Sequence, residues 1–260
     1  MVEANQRADG RKDVGPPTSG MVRVGRAPEE LPSRPCHEPP IHRFDDPIGE
    51  YLARYGGEDL EICLIEVLAR FRSKPEVEDV LAEIVGVDDG YGRGVEHGED
   101  SAGRPPHSKE ETLREVLGEL KTARVHVRQD GVCLDVSDPL ERFELGKHPR
   151  VREAIQAFDQ LVGNPTDRSS QLDGALIRLA GAAGRKITQA VSRAVYEMVQ
   201  YVGISYFSRW DDSKRCWAIW GDVEVIVDDV QPLNPDNPEH RDAVQKAAKI
   251  HGLPLPSEWT

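Results

Sequence analysis

The period of the apolar positions changes along the chain, and the changes mark its elements. MVRVGR (21–26) alternates, with Val22 and Val24 on one face, and predicts a short strand. Residues 57–72 carry Leu60, Leu64, Val67, Leu68 and Phe71 at helical spacing, with Cys63 on the same stripe, and predict the clearest helix. EVEDVLAEI (76–84) predicts a shorter one. KEETLREVLGEL (109–120) follows Ser108 with Glu111 three residues on, a capping-box pattern that starts a helix. Two strands are expected within 123–136, and Asp130-Gly131 between them predicts a hairpin turn. Amphipathic helices follow over 148–162 and 187–200, the second with Val191, Val195, Met198 and Val199 on one stripe. GISYFS (203–208), RCWAIW (215–220) and DVEVIV (222–227) predict strands. The segment 236–252 predicts a closing helix ended by Gly252.

Other stretches have no period. Residues 1–20 are polar and rich in Gly and Pro, which predicts a disordered tail. Prolines from Pro28 to Pro40 exclude a regular element there. Residues 86–108 combine many breakers with no periodicity, which predicts a surface loop insertion. Strands lie at both ends with helices between them, and no βαβ rhythm appears. That argues an α+β single domain, with 260 residues enough for one core.

Charge narrows the partners. Thirty-three Lys and Arg stand against 46 Asp and Glu, and a net charge of −13 repels phosphodiester backbones. Direct nucleic-acid binding is therefore not expected. A local basic pocket for one small phosphate ligand stays compatible, and an acidic surface suits a basic protein partner. No apolar run approaches the ~18 residues of a membrane span. The first twenty residues lack a signal-peptide core, so no membrane role and a cytoplasmic location are expected. Cys36, Cys63, Cys133 and Cys216 form no CxxC pair and have no His at ligand spacing, so no metal site is expected. Cys63 and Cys133 read as small buried hydrophobes. P-loop, Rossmann, zincin and nucleophile-elbow motifs are missing.

Five residues stand out, each with an ordinary reading beside a functional one. Glu66 lies close to a buried stripe. It pairs with Arg70 at i+4 in the ordinary reading, and in the other is a partly buried carboxylate that needs a partner or a chemical role. Arg43 pairs with Asp45 or Asp46, or it grips a pyrophosphate or carboxylate as a guanidinium fork. Tyr55 is a core aromatic, or a ring that stacks on a base. Arg23 is the polar face of an edge strand, or a second clamp on phosphate. Ser208 is a turn residue, or a hydrogen-bonding group at a strand end.

Taken in order, these residues resemble the RES family, named for its Arg, Glu and Ser positions. MVRVGR resembles the family's opening strand, with Arg23 at its arginine. RFDDPIGEYLARYGGEDLEICLIEVLAR (43–70) resembles the central block: an Arg, an aromatic at the end of a strand, then a helix carrying Glu. VGISYFSRW and CWAIW resemble the terminal block, where a Gly-Ile strand ends in Ser-Arg. The resemblance covers roughly 21–230, with 86–108 inserted and 231–260 a helical extension outside the pattern. Val24 stands where some members carry an aromatic.

The resemblance implies an ADP-ribosyltransferase-like fold, a split antiparallel sheet with surrounding helices. It implies an enzyme that consumes NAD as a substrate, not a recycled cofactor, by cleaving the nicotinamide–ribose bond as a glycohydrolase or phosphorylase. Such enzymes are often toxins of type II toxin–antitoxin pairs, blocked by a helix-turn-helix antitoxin. Glu66, Arg43 and Tyr55 are then the catalytic set, and Arg23, Arg43, Tyr55 and Ser208 hold NAD. A protein ADP-ribosyltransferase, a catalytically silent NAD-binding module and a stand-alone housekeeping enzyme are the alternatives.

Overall fold

A computed structural model describes residues 4–6, 12–16, 19–26, 41–72, 108–128, 131–162 and 171–260. The expected helix at 76–84 and nearly all of the expected 86–108 insertion lie outside the described residues, as does the Pro-rich stretch.

The segment expected to be one helix over 57–72 contains three elements. Arg54–Gly57 is a strand, β4. Asp59 then caps a helix, α1 (Leu60–Leu68), its side chain accepting from the Ile62 amide at 3.0 Å. A 3-10 turn, Ala69–Phe71, closes the segment. Gly56 and Gly57 explain why the strand runs so close to its neighbours. A Cβ on Gly56 would meet Met21 Sδ at 2.8 Å, and one on Gly57 would meet Ile62 Cγ2 at 2.3 Å. α1 buries Leu60, Ile62, Cys63, Leu64, Ile65 and Leu68, which take up most of its circumference. A helix apolar nearly all round is an interior one.

The other strands are β1 (Ala4–Gln6), β2 (Lys12–Val14), β3 (Met21–Gly25), β5 (Lys121–Val127), β6 (Val132–Asp135), β7 (Tyr201–Phe207), β8 (Arg215–Ile219) and β9 (Val225–Pro232). They form one open sheet in the order β1-β2-β6-β7-β8-β4-β3-β5-β9. Seven longer strands make its body, with the short β1–β2 pair at one edge. All pairings are antiparallel except β6–β7. That parallel pair needs a long crossover. Four helices supply it: α3 (Pro139–Lys147), α4 (Pro149–Leu161), α5 (Gly174–Arg178) and α6 (Gly181–Tyr196). The remaining helices are α2 (Lys109–Glu119) and α7 (Pro238–His251). The chain is thus a mixed α/β domain with seven α-helices among the described residues.

The β3–β4 pairing is the thinnest link in the sheet, with only Val22 opposite Gly57. On one side of this seam lie β1, β2, β6, β7, β8 and β4; on the other lie β3, β5 and β9. α1 packs over the seam, against β3 and β4, and α7 packs on α1.

Several expectations change. Residues 4–6 and 12–14 of the expected tail are strands β1 and β2. Asp130-Gly131 does not make a hairpin, because β5 lies between β3 and β9 while β6 lies between β2 and β7. Gly131 packs against the Val202 side chain of β7, so the chain moves across the sheet there. The helix expected over 187–200 ends at Tyr196, and Val199 is 96% exposed. Arg23 is on a central strand and buried, not on an edge. The boundary drawn at 230 falls inside β9, and Leu233, Val244, Ala247 and Trp259 beyond it belong to the common core. The Ser108–Glu111 capping box and the Gly252 left-handed cap (φ 64°) are present as expected. Among the described residues no helix is long and apolar enough to cross a membrane.

Candidate active site

Glu66 occupies the last turn of α1 and is half-buried. Its Oε1 accepts a hydrogen bond from Ser208 Oγ at 2.5 Å. Ser208 is fully buried at the end of β7, where the chain turns toward β8, and its amide donates to Lys214 O at 3.0 Å. Its Oγ also accepts from the Trp210 amide at 3.1 Å. The serine is thus a turn residue and a partner of the carboxylate together.

Arg43 approaches from the segment before β4. One nitrogen, Nη2, donates to the Ile177 carbonyl at the end of α5. Its guanidinium lies 5.3 Å from the ring centres of both Phe44 and Tyr206. Nε and Nη1 are buried and have no hydrogen-bond partner among the described residues. Pairing with Asp45 or Asp46 does not occur, because both carboxylates are fully buried and engaged elsewhere. Asp45 accepts from the His42 amide at 2.9 Å and the Ala53 amide at 3.2 Å. Asp46 accepts from the Glu50 amide at 2.8 Å and faces Arg193 at 3.3 Å. A buried guanidinium with two unmet donors marks a place for an anion, since such donors cost free energy when unpaired.

Tyr55, on β4, holds Arg43's neighbour. The Phe44 amide donates to the Tyr55 hydroxyl at 2.7 Å, and that hydroxyl lies 3.5 Å from Asp45 Oδ1. The Tyr55 ring meets His42 edge-on at 5.5 Å. Arg23 reaches across the seam from β3 and donates from Nη1 to the Tyr55 carbonyl at 3.0 Å. All five residues therefore lie on one chain of neighbours, from Arg23 through Tyr55, Phe44, Arg43 and Tyr206 to Glu66 and Ser208.

The neutral groups around them sharpen the electrostatics. Burial pushes the Cys63 thiol up to about 12. It pushes the Cys216 thiol and the Tyr206 phenol well above their ordinary values, with Glu66 raising and Arg43 lowering both. The charge of Glu66 and that of Arg43 therefore act on the same two side chains. With thiols and phenol neutral, the carboxylate and the guanidinium are the charges a ligand would meet there.

Sequence reasoning missed Tyr206, Asp45 and Trp210 as members of this neighbourhood. Only Asp45 left a signal, as an acid in FDDP where the chain turns sharply. Arg54 also escaped notice, and its role is structural. It donates to the carbonyls of Trp220 at 3.0 Å and Val223 at 2.6 Å, and to that of Gly221. A cavity of about 380 Å³ lined by Leu134, Leu145, Met198 and Tyr201, among others, opens at the far end of β7 and holds none of the five residues. Among the described residues, no group of three or more His, Cys, Asp or Glu is placed to hold a metal ion.

No family model, no curated protein and no solved structure matches this chain.

Proposed function

We propose that the chain is an NAD-consuming enzyme that cleaves the nicotinamide–ribose bond at the Glu66–Ser208 pair. One observation carries the reading. A half-buried carboxylate, bonded to a buried serine, shares its neighbours with an arginine that keeps two buried donors unmet. Cleavage of an N-glycosidic bond needs a negative group beside the ribose and a positive group on the phosphates.

In this mechanism nicotinamide leaves neutral, taking the electron pair of the C–N bond. Positive charge develops on the ribose, as in glycoside hydrolysis. Glu66 stabilises that charge and accepts from a ribose hydroxyl, and Ser208 fixes the carboxylate's orientation. Arg43 offers Nε and Nη1 to the pyrophosphate. Arg23 adds positive charge from across the seam and braces Tyr55, which in turn holds the Phe44 backbone beside Arg43. Water or phosphate then attacks the ribose carbon; a protein side chain in that role would make the enzyme an ADP-ribosyltransferase.

The single-bridge seam between two blocks of sheet supports a split-sheet, ADP-ribosyltransferase-like architecture, with the site at the split. The order of the residues supports RES membership. In that reading the protein works in the cytoplasm, and a helix-turn-helix antitoxin restrains it. Purified protein incubated with NAD tests the activity: free nicotinamide should appear as NAD disappears. An intact NAD pool at micromolar enzyme, with no ADP-ribosylated protein, would remove it.

A further inference from the structure

The chain beyond 230 has no place in the family-like pattern, yet it touches both halves of the site. α7 presents His240, Ala243, Val244, Ala247, Ala248 and His251 along one buried face. Its alanines let the helix lie close on α1, and Lys246 pairs with Glu61 at 2.6 Å beside that contact. At the end of α7, His251 Nε2 lies 2.7 Å from the Ile65 carbonyl, in a buried contact.

That carbonyl is one of the last four of α1, where a helix has acceptors without partners. It belongs to the residue just before Glu66. Because a carbonyl only accepts, Nε2 carries the hydrogen. The same imidazole meets the Trp210 ring edge-on, with centres 4.9 Å apart and planes at 88°. Trp210 donates its amide to Ser208 Oγ, which donates to Glu66. Ile65, Glu66, Ser208, Trp210 and His251 thus form a closed circuit.

We infer that His251 is a positioning residue for Glu66, tying the last turn of α1 to the turn that follows Ser208. The inference rests on the activity proposed above for its catalytic consequence, while the tie itself is independent of it. A carboxylate whose helical turn can drift loses alignment with the ribose, and a misplacement of about 1 Å costs about 100-fold in rate.

His251→Leu removes the donor, and His251→Gln restores an amide donor of similar reach. Hydrogen exchange of the amides over 66–72 and 209–212 reads the tie, and kcat and KM for nicotinamide release read its consequence. The leucine variant should exchange faster in both segments and lose about 100-fold in kcat with KM little changed. The glutamine variant should recover most of both. Wild-type exchange in the leucine variant would overturn the tie. Equal loss of kcat in the two variants, or full kcat in the leucine variant, would overturn positioning. If the leucine variant does not fold, His251→Asn, too short to reach Ile65, takes its place. A wild-type protein that spares NAD while the leucine variant exchanges faster would refute the activity and leave the tie standing.

Discussion

Ser208 Oγ donates to Glu66 Oε1 at 2.5 Å, joining residues 142 positions apart in the chain. One comes from the turn after β7, the other from the last turn of α1. The bond sets the orientation of the carboxylate, and the Trp210 amide sets the orientation of the hydroxyl. Ser208→Ala removes the partner of both. It should lower stability by about 1–3 kcal/mol, the cost of leaving buried groups unmet, seen as a lower urea midpoint at unchanged slope. Nicotinamide release should fall with it, in kcat more than in KM.

Tyr55→Phe separates two roles for the ring. The hydroxyl accepts from the Phe44 amide, so its loss should cost about 1–2 kcal/mol of stability and loosen the backbone beside Arg43. The KM for NAD should rise. A phenylalanine variant with unchanged KM and melting temperature would show that the hydroxyl does neither.

Arg43→Lys keeps the charge and loses the fork. A lysine cannot donate to Ile177 and also present two donors to a pyrophosphate. KM for NAD should rise about 10–100-fold, the range of a charge-assisted hydrogen bond of about 1.5–3 kcal/mol, while kcat stays within a few-fold. Steady-state kinetics with NAD checks both numbers.

Acid should loosen the C-terminal part first. Burial holds both His240 and His251 below the ordinary histidine value of 6.5, so the folded state keeps them neutral. His240 Nδ1 accepts from the Asn234 amide at 3.1 Å, a role an imidazolium cannot fill. Near His251, Arg72 and Arg209 add to the lowering, while Glu66 and the Ile65 carbonyl oppose it; Glu239 opposes it at His240. The unfolded chain takes up these protons at higher pH than the folded one. Their stabilisation is therefore full above about pH 6.5 and is lost as pH falls through the lowered folded values. Melting temperatures from pH 7.5 to 5 should fall, and less steeply in His251→Gln.

Elements announced by local chemistry were legible in the sequence. Ser108 with Glu111, and Gly252 after a periodic run, specify helix ends through bonds a few residues apart. Pairing between strands was not legible. Asp130-Gly131 carries a turn signal, yet β5 and β6 find partners elsewhere, because the neighbours that cover a strand are chosen by the whole sheet. Alternation in MVRVGR shows that Arg23 points away from the valines; it cannot show that β4 and β5 flank the strand and bury it.

The site was legible as residue types in order, and illegible as contacts. Periodicity put Glu66 beside a stripe, where Arg70 at i+4 was its nearest expected partner. The serine that bonds it comes from a distant strand end, and no spacing encodes that. His251 is farther still from Ile65 in sequence, 186 positions, and a lone histidine near a helix end looks like any cap. Asp45 and Asp46 mislead in the other sense. They sit next to Arg43 in the chain, but backbone amides and Arg193 claim them.

The central claim is that Glu66 drives loss of nicotinamide from NAD. Glu66→Gln is close in shape and keeps an acceptor for Ser208, but it carries no charge. Time courses of NAD and free nicotinamide for the wild type and this variant, beside calorimetric NAD binding, test the claim most directly. The wild type should release nicotinamide in step with NAD loss. The variant should bind NAD and turn it over about 100–1,000-fold more slowly, the effect of losing one transition-state contact. Turnover within a few-fold of wild type in Glu66→Gln, or no turnover by the wild type, would contradict it.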